Sequence, residues 1–182
     1  MTIERFGRSF AFETDAGVFS RAELDEGSAL LIDSAGPLRG RALDLGCGWG
    51  PVGILLAYKN PEVRFVLSDV NQRAVALAQN NIARAGLKNA EAVVSEGFEA
   101  LIGDFDHVLC NPPIRAGKAV IYRLFDDAFE RLRPGGGLTI VIRKRQGAPS
   151  AQKHLDEVFG NAEIVERSRG YWVIRSAKGE GT

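Results

Sequence analysis

The chain has 182 residues and carries 23 basic and 23 acidic side chains, so its formal net charge at pH 7 is zero. One domain of roughly 150 residues accounts for this length, and the balanced charge argues against a dedicated, non-catalytic RNA-binding module, which typically has a clear basic excess. The apolar runs are shorter than the roughly 20 residues that cross a bilayer, and the polar stretch Thr2–Arg5 is not typical of a signal peptide, so we expect a cytoplasmic protein.

The first 36 residues predict a short N-terminal extension. Residues 9–20 alternate partly between apolar and polar side chains and include a turn at residues 15–17 (DAG), which favours a short hairpin or an extended segment. Residues 21–35 place apolar side chains among charges and predict a helix, which Gly36-Pro37 ends.

From residue 41 onward, short apolar strands alternate with helices. The predicted strands cover residues 41–45, 63–69, 91–94, 105–110, 138–142, 163–166 and 171–174, and the predicted helices cover residues 51–59, 71–85, 117–132 and 150–159. Asn71 and Ser150 are the expected N-caps of two helices, Gly86 is the expected end of one, and a turn is expected at residues 134–137.

This alternation is typical of a parallel sheet covered on both faces, while the last two strands, which no helix separates, predict a hairpin. We therefore predict one α/β domain over residues 1–182, with a doubly wound, seven-stranded, mostly parallel sheet that ends in an antiparallel hairpin. Residues 1–36 form the lead-in strand and helix, and residues 41–176 form the core. Cys47 and Cys110 predict buried, reduced thiols, and no cluster of ligands indicates a metal site.

The first core strand runs into a glycine-rich turn, residues 43–50 (LDLGCGWG), which leads into a helix. Glycines let the backbone turn tightly and let a ligand approach it, and the free N–H groups of a helix N-terminus attract polar or anionic groups. In a doubly wound sheet, such a ligand lies beyond the carboxyl ends of the strands.

Two cofactors compete for this turn. Gly48, Gly50 and Gly53 satisfy the G-x-G-x-x-G pattern of nicotinamide dinucleotide folds, with Asp69 about 20 residues further on. Asp44 favours S-adenosylmethionine instead, because a carboxylate just before the glycines attracts a cationic amino-acid moiety and repels a pyrophosphate. Asp69 suits the ribose hydroxyls of either cofactor.

The fourth core strand runs into Asn111-Pro112-Pro113. Two prolines stiffen this loop, and Pro112 keeps Asn111 out of helical geometry. A rigid loop at the end of a central strand can point the Asn111 amide into a cleft, where its oxygen and the Pro112 carbonyl accept hydrogen bonds from a target –NH₂ group. The pattern predicts methylation of an amino nitrogen, with Asn111, Pro112 and Pro113 as the catalytic loop.

Together these motifs resemble the class I S-adenosylmethionine-dependent methyltransferases. Over residues ~9 to ~176 the chain is similar to the small-methyltransferase domain of bacterial 16S ribosomal RNA guanine-N2 methyltransferases and their single-domain relatives. The resemblance rests on residues 17–20 (GVFS), 24–27 (LDEG), 43–48 (LDLGCG), Asp69, 111–118 (NPPIRAGK), 134–136 (PGG) and 144–148 (KRQGA).

The resemblance implies S-adenosyl-L-methionine as the cofactor, and ribosomal RNA or the small ribosomal subunit as the partner. It implies that Asp44 and its glycines line the methionine end, that Asp69 holds the ribose and that Glu96 lies near the adenine amino group. The implied cofactor-binding residues are Phe19, Asp44, Gly46, Cys47, Gly48, Gly50, Asp69, Val70, Glu96, Gly97 and Asn111.

Two features depart from the family pattern. The residue after Asn-Pro-Pro is often aromatic in the wider amino-methylating group, but here it is Ile114, so stacking on the target has to come from elsewhere, such as Phe19. Some longer relatives also carry a second, degenerate domain that helps to bind RNA, and these 182 residues hold no counterpart of it. The expected RNA-contacting rim consists of Ile114, Arg115, Lys118, Lys144 and Arg145.

The sequence therefore predicts an enzyme that methylates guanine N2 of 16S ribosomal RNA. Because a glutamine side chain is also an –NH₂ group beside a carbonyl, a protein glutamine N-methyltransferase is the main alternative. A nicotinamide-dependent oxidoreductase is the more distant one.

Overall fold

The computed structural model describes residues 1–15 and 23–181. The strands are β1 (Thr2–Arg5), β2 (Arg8–Ala11), β3 (Arg41–Leu45), β4 (Arg64–Asp69), β5 (Ala90–Val94), β6 (Phe105–Cys110), β7 (Leu132–Arg143), β8 (Glu163–Ser168) and β9 (Tyr171–Ala177). The α-helices are α1 (Glu26–Asp33), α2 (Pro51–Lys59), α3 (Gln72–Ala85), α4 (Lys118–Arg131) and α5 (Ala148–Phe159), and two short 3₁₀ turns cover Ile114–Ala116 and Lys144–Gln146.

Seven strands form one sheet in the order β5-β4-β3-β6-β7-β9-β8. Pairing is parallel from β5 to β7, and β9 runs antiparallel to both β7 and β8. The predicted fold class, including the C-terminal hairpin, is confirmed.

Successive residues of β3 face opposite sides of the sheet, as a strand requires. Ala42 packs in a cluster with apolar residues of α1, α2 and α3, whereas Leu43 and Leu45 pack in a second cluster with residues of α4 and α5. The sheet is therefore covered on both faces. Cys47 and Cys110 are free and buried, as expected.

The N-terminal hairpin differs from the prediction. It joins β1 to β2 through Phe6 and Gly7, which both have positive φ angles (52° and 72°), a geometry typical of a tight hairpin turn. Its first strand precedes the predicted segment, because phenylalanine at a positive-φ position gives no turn signal. The turn expected at residues 15–17 lies mostly outside the described residues.

Helix boundaries follow the capping chemistry in most places. The Asn71 side chain accepts hydrogen bonds from the N–H groups of the first turn of α3, and Gly86 ends that helix in the left-handed region, so both predictions are confirmed. The Ser150 cap is wrong: α5 begins at Ala148 after Gly147, with a proline in its first turn. The helix predicted from residue 21 starts at Glu26.

The prediction that residues 134–137 form a turn before the next strand is also wrong. These residues belong to β7, which starts directly after α4 and leads through Gly135, with a φ of 82°, into the buried strand. The Gly135 N–H donates to the carbonyls of Lys178 and Gly179, so the chain beyond β9 supplies the partner that keeps this segment extended.

A buried asparagine in α3 connects three parts of the fold. Asn81 is 1% exposed, and its Nδ2 donates to the carbonyls of Trp49 (2.8 Å) and Glu13 (3.0 Å). Its Oδ1 accepts from the Glu13 N–H at 2.7 Å. One side chain therefore ties the N-terminal segment to the glycine turn.

We expect Asn81→Ala to lower the free energy of unfolding by about 2 kcal/mol, since three backbone groups, one of them fully buried, lose their hydrogen bond to this side chain. The matched control is Asn80→Ala, at an exposed neighbouring position whose side chain donates to the Glu13 carboxylate, and its effect should stay within about 0.5 kcal/mol. Urea unfolding followed by circular dichroism measures both. Equal effects of the two substitutions would contradict the assigned role.

Candidate active site

Three neighbouring strands end at one edge of the sheet. In the parallel registers Leu45, the last residue of β3, pairs with Ser68 on β4 and with Cys110 on β6. The glycine turn, Asp69 and Asn111 therefore emerge side by side. The crossover between β5 and β6 reverses the strand order here, and in open α/β sheets ligands bind at such a switch point.

The glycine turn is anchored to β4 by its backbone. The N–H groups of Gly46 and Cys47 both donate to the Ser68 carbonyl at 2.8 Å. Gly46 has a φ of 75°, and a Cβ there would have nothing within 4 Å, so open space lies beside the turn. A Cβ on Gly53 would instead lie 2.6 Å from Leu67, so Gly53 serves the close packing of α2 on β4.

Asp44 is a buried carboxylate directly before this turn. It is 3% exposed, and its Oδ2 accepts a hydrogen bond from the Gly53 N–H at 2.9 Å. Burial raises the pKa of Asp44 to about 7, the nearby charge of Asp69 adds to the rise, and the Gly53 hydrogen bond opposes it. Among the described residues, no cationic side chain pairs with this carboxylate.

Asp69 connects two turns. Its Oδ2 accepts from the Gly48 N–H and its Oδ1 from the Asn71 N–H, both at 2.9 Å. A carboxylate offers about four acceptor positions, so two remain for hydroxyl groups. Val70, which is 66% exposed, follows Asp69 and presents an apolar surface.

Glu96 and Gly97 follow β5 at the same edge, and Glu96 is exposed. Their loop is fixed by Ser95, whose N–H donates to the Asp69 carbonyl and whose hydroxyl donates to the Gly97 carbonyl. The sequence-predicted residues after β3, β4, β5 and β6 are thus gathered at one edge. Phe19 lies outside the described residues.

The Asn111 side chain is half-buried at the end of β6. Its Nδ2 donates to Ser28 Oγ (3.3 Å) and lies 3.5 Å from Asp25 Oδ1. Within residues 1–15 and 23–181, nothing donates to its Oδ1, so this acceptor is available. Pro112 is buried and Pro113 exposed, so the loop is both anchored and accessible.

The predicted rim divides into two parts. Arg115, Lys118, Lys144 and Arg145 are exposed after β6 and β7, at the same edge as Asn111. Ile114 is half-buried and packs against the core cluster of α4 and α5.

The sequence analysis gave no role to three residues of the site region. Asp25 and Ser28 contact Asn111, and Asn81 holds the glycine turn. Only the N-cap pattern of Asp25 is visible locally; the other contacts join distant segments. Among residues 1–15 and 23–181 no group of three or more His, Cys, Asp or Glu side chains could hold a metal ion, and no helix is long and apolar enough to span a membrane.

Comparison with known proteins gives consistent matches. The methyltransferase small domain family matches residues 9–175. A Bacillus subtilis (strain 168) protein, named only as uncharacterized protein YbxB, is 42% identical, covering 94% of this chain and 87% of that protein. The Cronobacter sakazakii ribosomal RNA small subunit methyltransferase C is 36% identical, covering 92% of this chain and 49% of that protein.

The solved T. thermophilus 16S rRNA N2 G1207 methyltransferase (RsmC), in complex with AdoMet and guanosine, superposes with a TM-score of 0.87 at 29% identity. The match covers 98% of this chain and 50% of that one. The chain therefore spans about half the length of the ribosomal RNA methyltransferases that it resembles.

Asp44→Asn is expected to stabilise the ligand-free protein, and increasingly so as the pH rises. Because the pKa of Asp44 is about 7 in the folded protein and 3.8 is its ordinary value in an unfolded chain, the wild type loses stability between about pH 4 and pH 7, as folding comes to bury a charge. Asparagine keeps the acceptor for Gly53 without that charge. Each pKa unit corresponds to about 1.4 kcal/mol, so the difference should reach a few kcal/mol.

Urea unfolding at about pH 5 and about pH 8 measures this difference. Titrating groups distant from Asp44 contribute equally to both proteins and cancel in the comparison. A difference that does not grow with pH would show that Asp44 is not a buried titrating group.

Proposed function

Because the chain belongs to the methyltransferase small domain family, we propose that it transfers a methyl group from S-adenosyl-L-methionine to guanine N2 of 16S ribosomal RNA. The observation that carries this proposal is the placement of Asn111, to whose amide oxygen none of the described residues donates, at the same sheet edge as the glycine turn and Asp44. The similarity to the AdoMet- and guanosine-bound methyltransferase supports both cofactor and base. The family match decides against a nicotinamide-dependent oxidoreductase.

The residues at the edge fit the cofactor. The open space beside Gly46 accommodates the ligand, and the buried Asp44 carboxylate offers a negative charge to the cationic methionine moiety. Asp69 has acceptor capacity for the ribose hydroxyls, Val70 offers an apolar surface, and Glu96 can reach an adenine amino group. When bound, S-adenosylmethionine supplies an activated methyl group, so no strong base is needed before attack.

Asn111 acts on the target amine. Its Oδ1, with the Pro112 carbonyl, accepts hydrogen bonds from the –NH₂ group, which turns the nitrogen lone pair toward the cleft. The same oxygens stabilise positive charge as it develops on that nitrogen, and they are already in place before the reaction.

RNA binding is assigned to the exposed basic side chains beside this loop. Arg115, Lys118, Lys144 and Arg145 form a local positive rim on a chain whose net charge is zero. Such side chains contact phosphates and position a nucleic acid without reading its sequence. A ribosomal substrate places the enzyme in the cytoplasm.

Asn111→Ala should lower the rate of methyl transfer by about 100-fold or more, because it removes an acceptor that acts on the reacting nitrogen. Affinity for S-adenosylmethionine should stay within about twofold of wild type. Transfer of labelled methyl groups to small ribosomal subunits from a strain lacking the gene, together with calorimetry of cofactor binding, measures both. Turnover that survives the substitution would exclude the assigned role.

Cofactor affinity should fall as the pH drops below about 7. A cationic ligand favours ionised Asp44, whose pKa in the ligand-free protein is about 7, so binding at acid pH has to release a proton. Calorimetry should show affinity about tenfold or more weaker at pH ~5.5 than at pH ~7.5. Asp44→Asn should bind weakly at both values, and a wild-type affinity that is flat over this range would contradict the assignment.

The target class is tested by two substrates in parallel. Labelled methyl groups should enter small ribosomal subunits and not release factors; the reverse result would favour the glutamine alternative. Mass spectrometry of ribosomal RNA nucleosides from the deletion strain should then show the loss of N2-methylguanosine at one position.

A further inference from the structure

The catalytic loop contacts the first turn of α1. Asn111 Nδ2 lies 3.3 Å from Ser28 Oγ and 3.5 Å from Asp25 Oδ1. Asp25 is the N-cap of α1, and the same Oδ1 accepts from the Ser28 N–H at 3.0 Å. The cap of one helix thus also binds the amide at the end of a distant strand.

The orientation of this amide matters for the chemistry. The two ends of an asparagine side chain are nearly equal in size, and a half-turn about its last bond exchanges oxygen and nitrogen. Only the orientation with Oδ1 toward the target amine offers an acceptor; the other presents N–H groups to a nitrogen that is gaining positive charge. A loop that fixes the Asn111 backbone does not by itself choose between them.

The carboxylate of Asp25 favours one of the two orientations of the Asn111 amide. A carboxylate group offers only acceptors, so only the nitrogen of the Asn111 amide can face Asp25 favourably. Ser28 Oγ, on a residue that is 6% exposed, provides a second acceptor beside it. With Nδ2 held on the α1 side, Oδ1 is directed away from that helix.

The first turn of α1 is itself fixed against the sheet edge. A Cβ on Gly27 would lie 2.9 Å from Tyr171 Cε1, so only glycine lets this ring approach so closely. Arg169, in the hairpin between β8 and β9, also pairs with Glu26 at 3.0 Å, but both side chains are exposed, so this ion pair contributes little to fixing the turn. The acceptors that meet Asn111 therefore stand on a packed element.

We propose that Asp25 and Ser28 are positioning residues that hold the Asn111 amide with Oδ1 facing the substrate, an inference that rests on the proposed function. Neither residue touches the reacting atoms. They act by keeping the productive orientation populated, so their loss should lower kcat and leave the KM for S-adenosylmethionine unchanged.

Ser28→Ala tests this with the fold kept intact, because the helix cap uses the Ser28 backbone N–H and not its hydroxyl. It should lower kcat for small ribosomal subunits by about three- to tenfold, the effect of one neutral hydrogen bond. Asp25→Ala/Ser28→Ala should lower kcat further. Asp25→Asn still caps α1 with its side-chain oxygen, but its amide can present either end to Asn111, so it should lower kcat as well. Glu26→Gln, in the same turn but without contact to Asn111, is the matched control and should be unchanged.

A second measurement reads the orientation without any turnover. In ¹⁵N–¹H spectra, the Asn111 side-chain amide signals, assigned by their absence in Asn111→Ala, should shift strongly in Asp25→Ala/Ser28→Ala and little in Glu26→Gln. Unchanged signals in the double variant overturn the positioning role, whatever the substrate.

Shifted signals with an unchanged kcat overturn it as well, since the orientation would then not matter for transfer. If the wild type methylates no ribosomal substrate, the proposed function fails, and the spectra alone decide whether these two residues orient the amide.

Discussion

In-register parallel pairing of β4, β3 and β6 is the constraint on which the site depends. Parallel strands in register end at a common edge, so the glycine turn, Asp69 and Asn111 meet although long stretches of sequence separate them. The chain crosses back over β3 between β5 and β6, and in open α/β sheets ligands bind at such a switch point. The register of the strands, more than the conformation of the loops, therefore determines where the glycine turn, Asp69 and Asn111 lie.

The same edge holds an electrostatic conflict. A buried carboxylate beside a second acid opposes folding unless a cation or several hydrogen bonds compensate it. Among residues 1–15 and 23–181, the Asp44 carboxylate receives one hydrogen bond, from the Gly53 N–H. Replacing this side chain by an amide, which keeps the acceptor for the Gly53 N–H, would suit the ligand-free fold better. A group that is unfavourable for stability and well placed for a cationic ligand is typical of a binding site.

Local chemistry explains which parts of the fold could be predicted from sequence. Asn71 and Gly86 mark the ends of α3 because a cap uses only neighbouring backbone groups. The hairpin turn at Phe6 was missed because its geometry is imposed by strand pairing and not by residue preference. The contact of Asn111 with Asp25 joins residues 86 positions apart, and no local pattern encodes it. Sequence could therefore indicate residues 111–113 as a candidate catalytic loop, but not the contacts of its asparagine with α1.

An amide at the end of β6 brings an advantage and a cost of its own. It offers an acceptor to an amine without adding negative charge near Asp44 and Asp69, but unlike a carboxylate it has two unequal ends. Serine, threonine or asparagine would also cap α1, yet only an ionised acid is an acceptor in every orientation. Choosing Asp25 as the cap therefore resolves the ambiguity of the amide, and the packing of Tyr171 on Gly27 extends that control to β9. A change in the packing of β9 on α1 would therefore also change the orientation of the Asn111 amide.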